Sequence, residues 1–235
     1  MDNLSVRLAK AAVFNKLNDA DREDLARIAE PSIYQTGESI CWQGEIWDKV
    51  LYIESGRIDW VMLSPDGKRQ IIFRLHAGDV VWGHSIFDEQ PMPASLKVIS
   101  RCKVYQWSGS AVVPIVSRNT EAVWAVSSLL VRSMRHVREV VYGFAFHPVS
   151  GRLARLLLSH YQPVDAQSFT RDLTLDEMAA IVGSTRELVC KELYRFADAG
   201  ILEITRTKFV FIDTKKLEAL ASGQKKVRGE SSSKK

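Results

Sequence analysis

Cysteine is scarce in this chain of 235 residues, which contains Cys41, Cys102 and Cys190 at widely separated positions. An odd number of distant cysteines argues against a disulfide framework and against zinc or redox sites of the CxxC type, so we expect three reduced thiols. Long apolar runs are also missing, since none approaches the roughly 18 residues of a membrane span. The first ten residues lack the apolar core of a signal peptide, and we expect a cytoplasmic protein without membrane contact.

The net charge of the chain is +4, but most of the chain has no excess of basic over acidic residues. Residues 1–147 hold 17 basic and 17 acidic side chains, and residues 148–221 hold ten of each. The excess lies in residues 222–235, where five Lys/Arg accompany one Glu in a Ser- and Gly-rich segment that we predict to be a disordered basic tail. Net charge therefore does not by itself indicate a nucleic-acid partner, and such a prediction must rest on local geometry.

Two kinds of pattern occupy the first half of the sequence. Residues 4–30 are predicted to form short helices, with Asn18 or Asp19 as a helix cap. From residue 33 to about 109, short runs of β-forming residues alternate with turn residues, as at Pro65-Asp66-Gly67. Many short strands with regular turns are typical of a β-sandwich or barrel.

A helical segment follows, because no glycine occurs between residues 110 and 142. Its apolar positions alternate in spacings of four and three, as in a coiled-coil seam between two copies of a chain. These positions are Val123, Ser127, Leu130, Met134, Val137, Val141 and Phe144. The alternative is a helix that lies on its own sheet, but charged residues between 132 and 139 leave a narrow apolar stripe and favour the seam.

Pro148 and Gly151 interrupt this pattern and predict a hinge at 147–151, followed by a helix over 149–161. The stretch MAAIVGSTRELVCKELYRFADAGIL, residues 178–202, predicts two short helices joined by a turn at Gly183. Thr174 with Glu177, and Ser184 with Glu187, fit capping boxes that mark the two helix starts. A hairpin around residues 206–208 is predicted to follow.

Four residues at the start of the second helix lie on one face, namely Arg186, Glu187, Cys190 and Lys191. A helix end of this kind can enter the major groove of DNA, where an arginine can bond guanine and a glutamate can accept from cytosine. Lys191 could reach a base or a phosphate, and Cys190 would allow close approach. The predicted phosphate contacts are Thr174, Ser184, Thr185, Arg206 and Lys208. The alternative is that these groups are ordinary solvated side chains.

Three stretches resemble one family. The segments TGESICWQGEIWDKVLYIESGRIDWVMLSPDGKRQIIFRLHAGDVVWG, FAFHPVSGRLARLLL and IVGSTRELVCKEL are similar to the sensory β-roll, hinge region and recognition region of the cyclic-AMP receptor protein/FNR family of transcription regulators. The resemblance implies an α+β fold with four parts. These are N-terminal helices and a cyclic-nucleotide-binding-like jelly roll over 1–109, a long dimerisation helix over 110–146, a winged helix-turn-helix over 147–221 and the tail over 222–235. It also implies a homodimer that reads palindromic double-stranded DNA, with RNA polymerase as a candidate partner, and it matches Arg186, Glu187 and Lys191 to base-reading positions.

The sequence departs from the family's cyclic-AMP binders in the segment that should hold the phosphate. Pro93 and Ala94 stand where those proteins have an arginine followed by serine or threonine, and no Arg or Lys occurs from residue 80 to 96. Val137 and Arg138 replace the expected Thr-Ser pair of the long helix. Because burying a permanent anion without a cation is costly, we expect an effector or state other than cyclic AMP.

The sequence leaves open which other effector or state would control the protein. The candidate effector pocket comprises Trp82, Gly83, His84, Ser85, Ala94, Ser95, Val137 and Arg138. Trp42, Trp60, Trp82 and Trp107 could line an apolar pocket or fill the core of the roll. An iron–sulfur cluster needs about four ligands, typically cysteines. The resemblance implies that several of them would lie near the N-terminus, as in FNR-like proteins, but no cysteine precedes Cys41, so such a cluster is disfavoured. Haem could use His76, His84, Met92 or Cys102, and Cys102 or Cys190 could sense redox state. We predict no cofactor and no metal site.

Enzyme motifs are missing as well, since the sequence has no P-loop, no GxSxG and no HExxH. We therefore predict a DNA-binding transcription regulator and not an enzyme. The alternative is a small-molecule, redox or haem sensor module whose helix-turn-helix mediates protein contacts.

Overall fold

The computed structural model describes residues 4–162 and 168–223, so the predicted tail lies outside the described residues from position 224 onward. The chain divides into two compact units, Met1–Arg138 and Glu139–Lys235. Each unit has its own apolar core, and each is described by itself below.

The first unit opens with helix α1 (Leu4–Leu8), a 3-10 turn (Phe14–Lys16) and helix α2 (Asp19–Ile28). The structure confirms Asn18 as the cap of α2, because its side-chain oxygen accepts a hydrogen bond from the Asp21 amide at 2.8 Å. Leu8, Phe14 and Leu25 are fully buried here. They share an apolar cluster with Trp107, whose indole N–H donates to the carbonyl of Leu25 at 2.8 Å.

The β-roll is one antiparallel sheet of six strands. The strands are β1 (Glu30–Tyr34), β2 (Ser39–Cys41), β3 (Lys49–Leu63), β4 (Arg69–His76), β5 (Val80–Trp82) and β6 (Ser95–Ser108), with a short helix α3 (Ser85–Asp88) after β5. The main path runs β1-β6-β3-β4, with β2 paired to β6 and β5 paired to β3. The predicted turn joins β3 to β4, where Gly67 has φ 80° and its amide donates to the Ser64 carbonyl at 2.9 Å.

The segment predicted as one long helix over 110–146 contains two helices, α4 (Gly109–Ser117) and α5 (Thr120–Phe146). Asn119 separates them because its side chain engages in two local hydrogen bonds. The side-chain oxygen accepts from the Ala122 amide at 3.1 Å, and the side-chain nitrogen donates to the Lys16 carbonyl at 2.9 Å. A short polar side chain that satisfies a free amide in this way starts a new helix.

One face of α5 packs on its own roll, since Ala122 and Val126 are buried in the cluster that holds Trp107. The predicted seam lies on another face, and most of its residues are exposed in the single chain: Val123, Ser127, Met134, Val137, Val141 and Phe144. Leu130 is half-buried against the same cluster. Part of α5 therefore packs on its own roll, as one of the two alternatives predicts, and the seam residues of the other alternative are mostly exposed in the single chain.

The second unit contains α6 (Val149–Tyr161), β7 (Ser168–Thr170), α7 (Leu175–Val182), α8 (Arg186–Asp198), β8 (Leu202–Ile204), β9 (Lys208–Phe211) and α9 (Thr214–Ala221). The predicted hairpin is confirmed as β8 and β9, and β7 adds a third strand in the order β7-β9-β8. Leu157, Met178, Val189 and Phe209 are buried in one cluster that joins the helices to this small sheet. Among the described residues, no helix is long and apolar enough to span a membrane.

Candidate nucleic-acid interface

A capping box starts α7, as the sequence predicts. The Thr174 hydroxyl oxygen accepts a hydrogen bond from the Glu177 amide at 3.1 Å, and the Glu177 carboxylate accepts from the Thr174 amide at 2.9 Å. The Thr174 hydroxyl also donates to this carboxylate at 2.8 Å. Helix α7 ends at Gly183, whose left-handed φ of 61° turns the chain toward α8.

The cap of α8 is Thr185 and not Ser184, so the predicted box of Ser184 with Glu187 is wrong. The Thr185 hydroxyl accepts from the Leu188 amide at 3.3 Å, and Thr185 has the extended backbone of an N-cap residue. Ser184 is one position too early, because its own amide still donates to the Ala179 carbonyl at the end of α7. The Glu187 carboxylate lies near the free amides of the first turn, and hydrogen bonds from its own backbone N–H and from Thr185 lower its pKa.

Helix α8 has a buried face and an exposed face. Val189, Leu193 and Phe196 are buried in the core of the unit. Arg186, Glu187 and Lys191 are exposed, and Cys190 is half-buried between them. The structure therefore leaves the predicted reading residues open to a ligand at the amino-terminal end of the helix.

Tyr194 extends this face and was missed by the sequence analysis. It follows Cys190 by four residues and Lys191 by three, and 63% of its surface is exposed. The sequence feature that could have identified Tyr194 is its spacing of three residues from Lys191, which places both side chains on one side of α8.

Arg186 contacts the preceding helix, since its Nη1 atom lies 3.5 Å from Oδ2 of Asp176. Both side chains are more than half exposed. An exposed pair of this kind contributes little to stability, so the guanidinium can exchange this contact for a base edge at small cost.

The predicted phosphate contacts lie at the start of α7, at the start of α8 and in the hairpin. The hydroxyls of Thr174 and Thr185 are already engaged as helix caps, and Ser184 is half-buried. Arg206 and Lys208 are exposed in the turn between β8 and β9 and at the start of β9. The hairpin therefore presents two cations of the second unit to solvent.

Arg171 is a further cation at the hairpin that the sequence did not reveal. Its side chain donates to the Thr205 carbonyl at 3.1 Å, its amide donates to the Thr207 carbonyl at 2.8 Å, and its guanidinium lies 4.9 Å from the centre of the Phe209 ring. These contacts hold the turn that carries Arg206 in place.

The candidate effector residues have different surroundings within the described part of the first unit. Ala94 and Ser95 are buried, and the Ser95 hydroxyl accepts from the Gln43 amide at 2.9 Å. Trp82 is buried in the cluster of the N-terminal helices. Gly83 packs so tightly that a Cβ atom would lie 2.2 Å from the Trp47 carbonyl oxygen. Val137 and Arg138 are exposed on α5.

His84 is half-buried beside Trp60, with ring centres 5.0 Å apart, and burial lowers the pKa of its imidazole. Its amide donates to the sulfur of Met92 at 3.3 Å, and Met92 is itself buried. Trp60, Trp82 and Trp107 are core residues, whereas Trp42 is half exposed beneath the ammonium group of Lys97. The tryptophans therefore serve mainly as core in this structure.

A cavity of about 410 Å³ lies elsewhere on the first unit. Its lining includes Ile46, Ile86 and Val113 together with Asp48 and Glu89. Ser85 is the member of the candidate effector set that reaches it, and its hydroxyl donates to the Gln90 carbonyl at 2.6 Å.

The cysteines and histidines lie apart. Within residues 4–162 and 168–223, no group of three or more His, Cys, Asp or Glu side chains could hold a metal ion. Cys41 and Cys102 are buried, and burial raises the pKa of both thiols. Cys190 is the half-exposed thiol, on α8. Of the candidate haem ligands, His76 is exposed at the end of β4 and Met92 is buried.

Comparison with known proteins matches both units. Residues 32–119 fit the family model of the cyclic nucleotide-binding domain, and residues 151–220 fit that of the Crp-like helix-turn-helix domain. The CRP-like cAMP-activated global transcriptional regulator of Mycobacterium tuberculosis is 26% identical over 215 residues, which cover 89% of this chain and 96% of that protein. The cAMP-activated global transcriptional regulator CRP of Salmonella typhimurium is 26% identical over 174 residues, which cover 72% of this chain and 83% of that protein.

Solved structures share the fold at lower identity. The c-di-GMP responsive global regulator CLP of Xanthomonas campestris superposes with a TM-score of 0.73 at 17% identity, covering 83% of this chain and 99% of that chain. FixK2 of Bradyrhizobium japonicum gives a TM-score of 0.70 at 19% identity, covering 82% of this chain and 97% of that chain.

Proposed function

Because this chain belongs to the CRP/FNR family of DNA-binding transcription regulators, we propose that it binds a two-fold symmetric DNA site as a homodimer, under the control of an effector or state other than cyclic AMP. The observation that carries the proposal is the exposed amino-terminal face of α8, with Arg186, Glu187 and Lys191. Its opposite face is fixed in the core, so the exposed face can enter a groove without unfolding the unit.

The roles of the individual side chains follow from their chemistry. Arg186 presents a planar guanidinium that can bond O6 and N7 of guanine, and Glu187 can accept from N4 of cytosine. Lys191, Arg206 and Lys208 are cations that can neutralise phosphates, and the caps Thr174 and Thr185 lie where a backbone phosphate would approach the helix ends. Tyr194 adds an exposed aromatic ring to the same face.

The proposed dimer uses the exposed seam of α5. Met134 is 73% exposed and Val141 is 58% exposed in the single chain, on a helix whose other face already packs on the roll. Trp124 and Val131 are also exposed beside the seam, so the apolar stripe is wider than the seam positions alone. Pairing two such stripes would remove apolar surface from water and join two copies of the chain.

Exclusion of cyclic AMP is supported by the packing around Ala94. This residue is fully buried in an apolar cluster with Trp60 and Met92, where a cyclic phosphate would need a cation. Two relatives are named for activation by cAMP and one structural neighbour for its response to c-di-GMP, so the effector differs between proteins of this fold. RNA polymerase is a proposed partner because the relatives are transcriptional regulators.

The central experiment is selection of DNA sequences from a random pool by the purified full-length protein, followed by gel shifts on the selected site. We expect a two-fold symmetric sequence whose half-site centres lie about one helical turn, roughly 34 Å, apart. Arg186→Ala and Lys191→Ala should each weaken specific binding by about 1–3 kcal/mol. Lys215→Ala, at an exposed position on α9, is the matched control. Selection of no symmetric sequence, or binding without salt dependence, would instead favour a helix-turn-helix that contacts protein.

A thermal-shift titration with cyclic AMP tests the effector proposal. At a concentration 100 times a dissociation constant, a ligand stabilises the folded state by about 2.7 kcal/mol. We expect no shift with cyclic AMP up to millimolar concentration. A saturable shift in the micromolar range would overturn this part of the proposal and leave the DNA-binding part intact.

A further inference from the structure

Arg152, in the first turn of α6, donates three hydrogen bonds to carbonyl groups of two different segments. Its Nε atom donates to the Val182 carbonyl at 2.7 Å, and its Nη2 atom donates to the Gly183 carbonyl at 3.2 Å. Its Nη1 atom donates to the His147 carbonyl at 2.8 Å.

These acceptors lie at functionally distinct places. His147 directly follows the last residue of α5, and Val182 and Gly183 form the end of α7 and the turn into α8. The Arg152 guanidinium also lies 5.1 Å from the centre of the Phe144 ring, in the last turn of α5. One side chain therefore contacts the end of the long helix, the hinge and the helix-turn-helix turn.

The carbonyl acceptors at the end of α7 favour a guanidinium group over other side chains. The carbonyls at the end of α7 have no partner within their helix and lie at the negative end of its dipole, so they attract a cation. A guanidinium presents its donors in a fixed plane, and its three nitrogen atoms here donate to three carbonyl oxygens. A lysine, with a single ammonium group, cannot reproduce this arrangement.

We propose that Arg152 is a positioning residue that fixes the direction of α8 relative to the end of α5, and so sets the half-site spacing that the dimer accepts. The inference rests on the proposed function, because spacing has meaning only when two copies of α8 read one symmetric site. Arg152 makes no proposed contact with DNA itself.

Arg155 provides a matched control from the same helix. Its Nη2 atom lies 2.9 Å from Nε2 of His147 and donates to the Ala221 carbonyl at 3.1 Å. It therefore contacts the same hinge residue but not the turn before α8. Replacement of Arg155 should affect the packing of α9 without changing the spacing preference.

The test compares gel shifts on the selected palindrome with shifts on variants whose two half-sites are one or two base pairs closer or farther apart. Full-length wild type, Arg152→Lys, Arg152→Gln and Arg155→Lys are measured. For both Arg152 variants, we expect the preference of the protein for its best spacing over the altered ones to fall by about 2- to 30-fold, the range that mutations on a coupling route produce. Arg155→Lys should retain the wild-type preference.

A second measurement covers variants that bind DNA too weakly to compare. Spin labels on Cys190, the half-exposed cysteine of α8, report the distance between the two copies of this helix by pulsed electron resonance. Arg152→Lys should broaden this distance distribution relative to wild type and Arg155→Lys.

Two results would overturn the inference: an unchanged spacing preference with an unchanged distance distribution, or an equal loss of affinity at every spacing. If selection returns no symmetric sequence, the proposed function itself fails, and that outcome is distinct from both of these results.

Discussion

The hydroxyl oxygen of Thr185 accepts a hydrogen bond from the amide of Leu188 at 3.3 Å, which makes Thr185 the cap of the proposed recognition helix. The first amides of a helix have no partner within the helix, and a capping oxygen satisfies one of them. The cap therefore stabilises the same helix end that carries the proposed base-reading residues.

Thr185→Ala should loosen the first turn of α8. Loss of a threonine cap costs about 1 kcal/mol, which corresponds to about fivefold faster hydrogen exchange at the Leu188 amide if exchange follows local opening. Ser184→Ala serves as the control, because Ser184 does not cap the helix, and it should leave this rate nearly unchanged. Faster exchange in Ser184→Ala than in Thr185→Ala would contradict the assignment.

Caps show where sequence patterns identify an element but not its boundary. The predicted box of Thr174 with Glu177 is confirmed, because both of its hydrogen bonds are present. Ser184 with Glu187 has the same spacing, but Ser184 still closes α7 through its amide, so the next residue caps α8. The break between α4 and α5 was not predicted, because the segment around it contains no glycine and its apolar spacing is that of one continuous helix. The structure shows that Asn119 caps α5 at this break.

Met134→Asp should dissociate the proposed homodimer. The seam of α5 places Met134 at its centre, and an unpaired carboxylate buried there costs about 3 kcal/mol or more, equivalent to at least a 100-fold weaker association. Sedimentation equilibrium of the purified variants measures this directly. Arg132→Asp introduces the same carboxylate two residues away, on the side of the helix opposite the seam, and should leave the dimer intact. A wild-type protein that is monomeric at micromolar concentration would refute the seam.

The roll was easier to predict than the residues inside it. Strands and turns follow from local propensity and glycine positions, and the structure confirms a β-rich region with a turn at residues 65–67. A break at Gly56 also fits the glycine pattern, but that residue lies inside β3. Burial of Ala94 and the tight packing of Gly83 against Trp47 depend on contacts between distant segments, which no local pattern records. The network around Arg152 was missed for the same reason, since its acceptors are separated from it by up to 31 residues.

Lys208→Ala should reduce the salt dependence of DNA binding. Each phosphate contact contributes about 0.9 to the slope of log K against log salt concentration, so loss of one contact should lower the slope by about that amount. The loss of affinity should be similar for specific and nonspecific sequences, because a phosphate carries no base identity. Lys68→Ala removes an equivalent charge from the turn of the roll and should leave the slope unchanged. A change in sequence preference in Lys208→Ala would instead indicate a base contact.

Thiol chemistry should distinguish Cys190 from the two buried cysteines. Burial raises the pKa of Cys41 from 9.0 to about 11, and burial also raises the pKa of Cys102. The thiolate is the reactive form, so iodoacetamide at pH 8 should modify Cys190 first, and Cys41 and Cys102 only on unfolding. Mass spectrometry of the digested protein locates the adduct, and Cys190→Ser should remove the fast reaction.

The raised pKa of Cys41 also predicts a pH dependence of stability. Since the folded pKa lies above the unfolded one, the folded state favours the protonated thiol, and this contribution is complete below about pH 9. It is lost as the pH rises from about 9 toward 11, where the unfolded chain ionises and the folded chain does not. Urea unfolding midpoints should therefore fall more steeply with pH over this range in wild type than in Cys41→Ala. Parallel slopes for the two proteins would show that the thiol of Cys41 is not held in a protonated state by the fold.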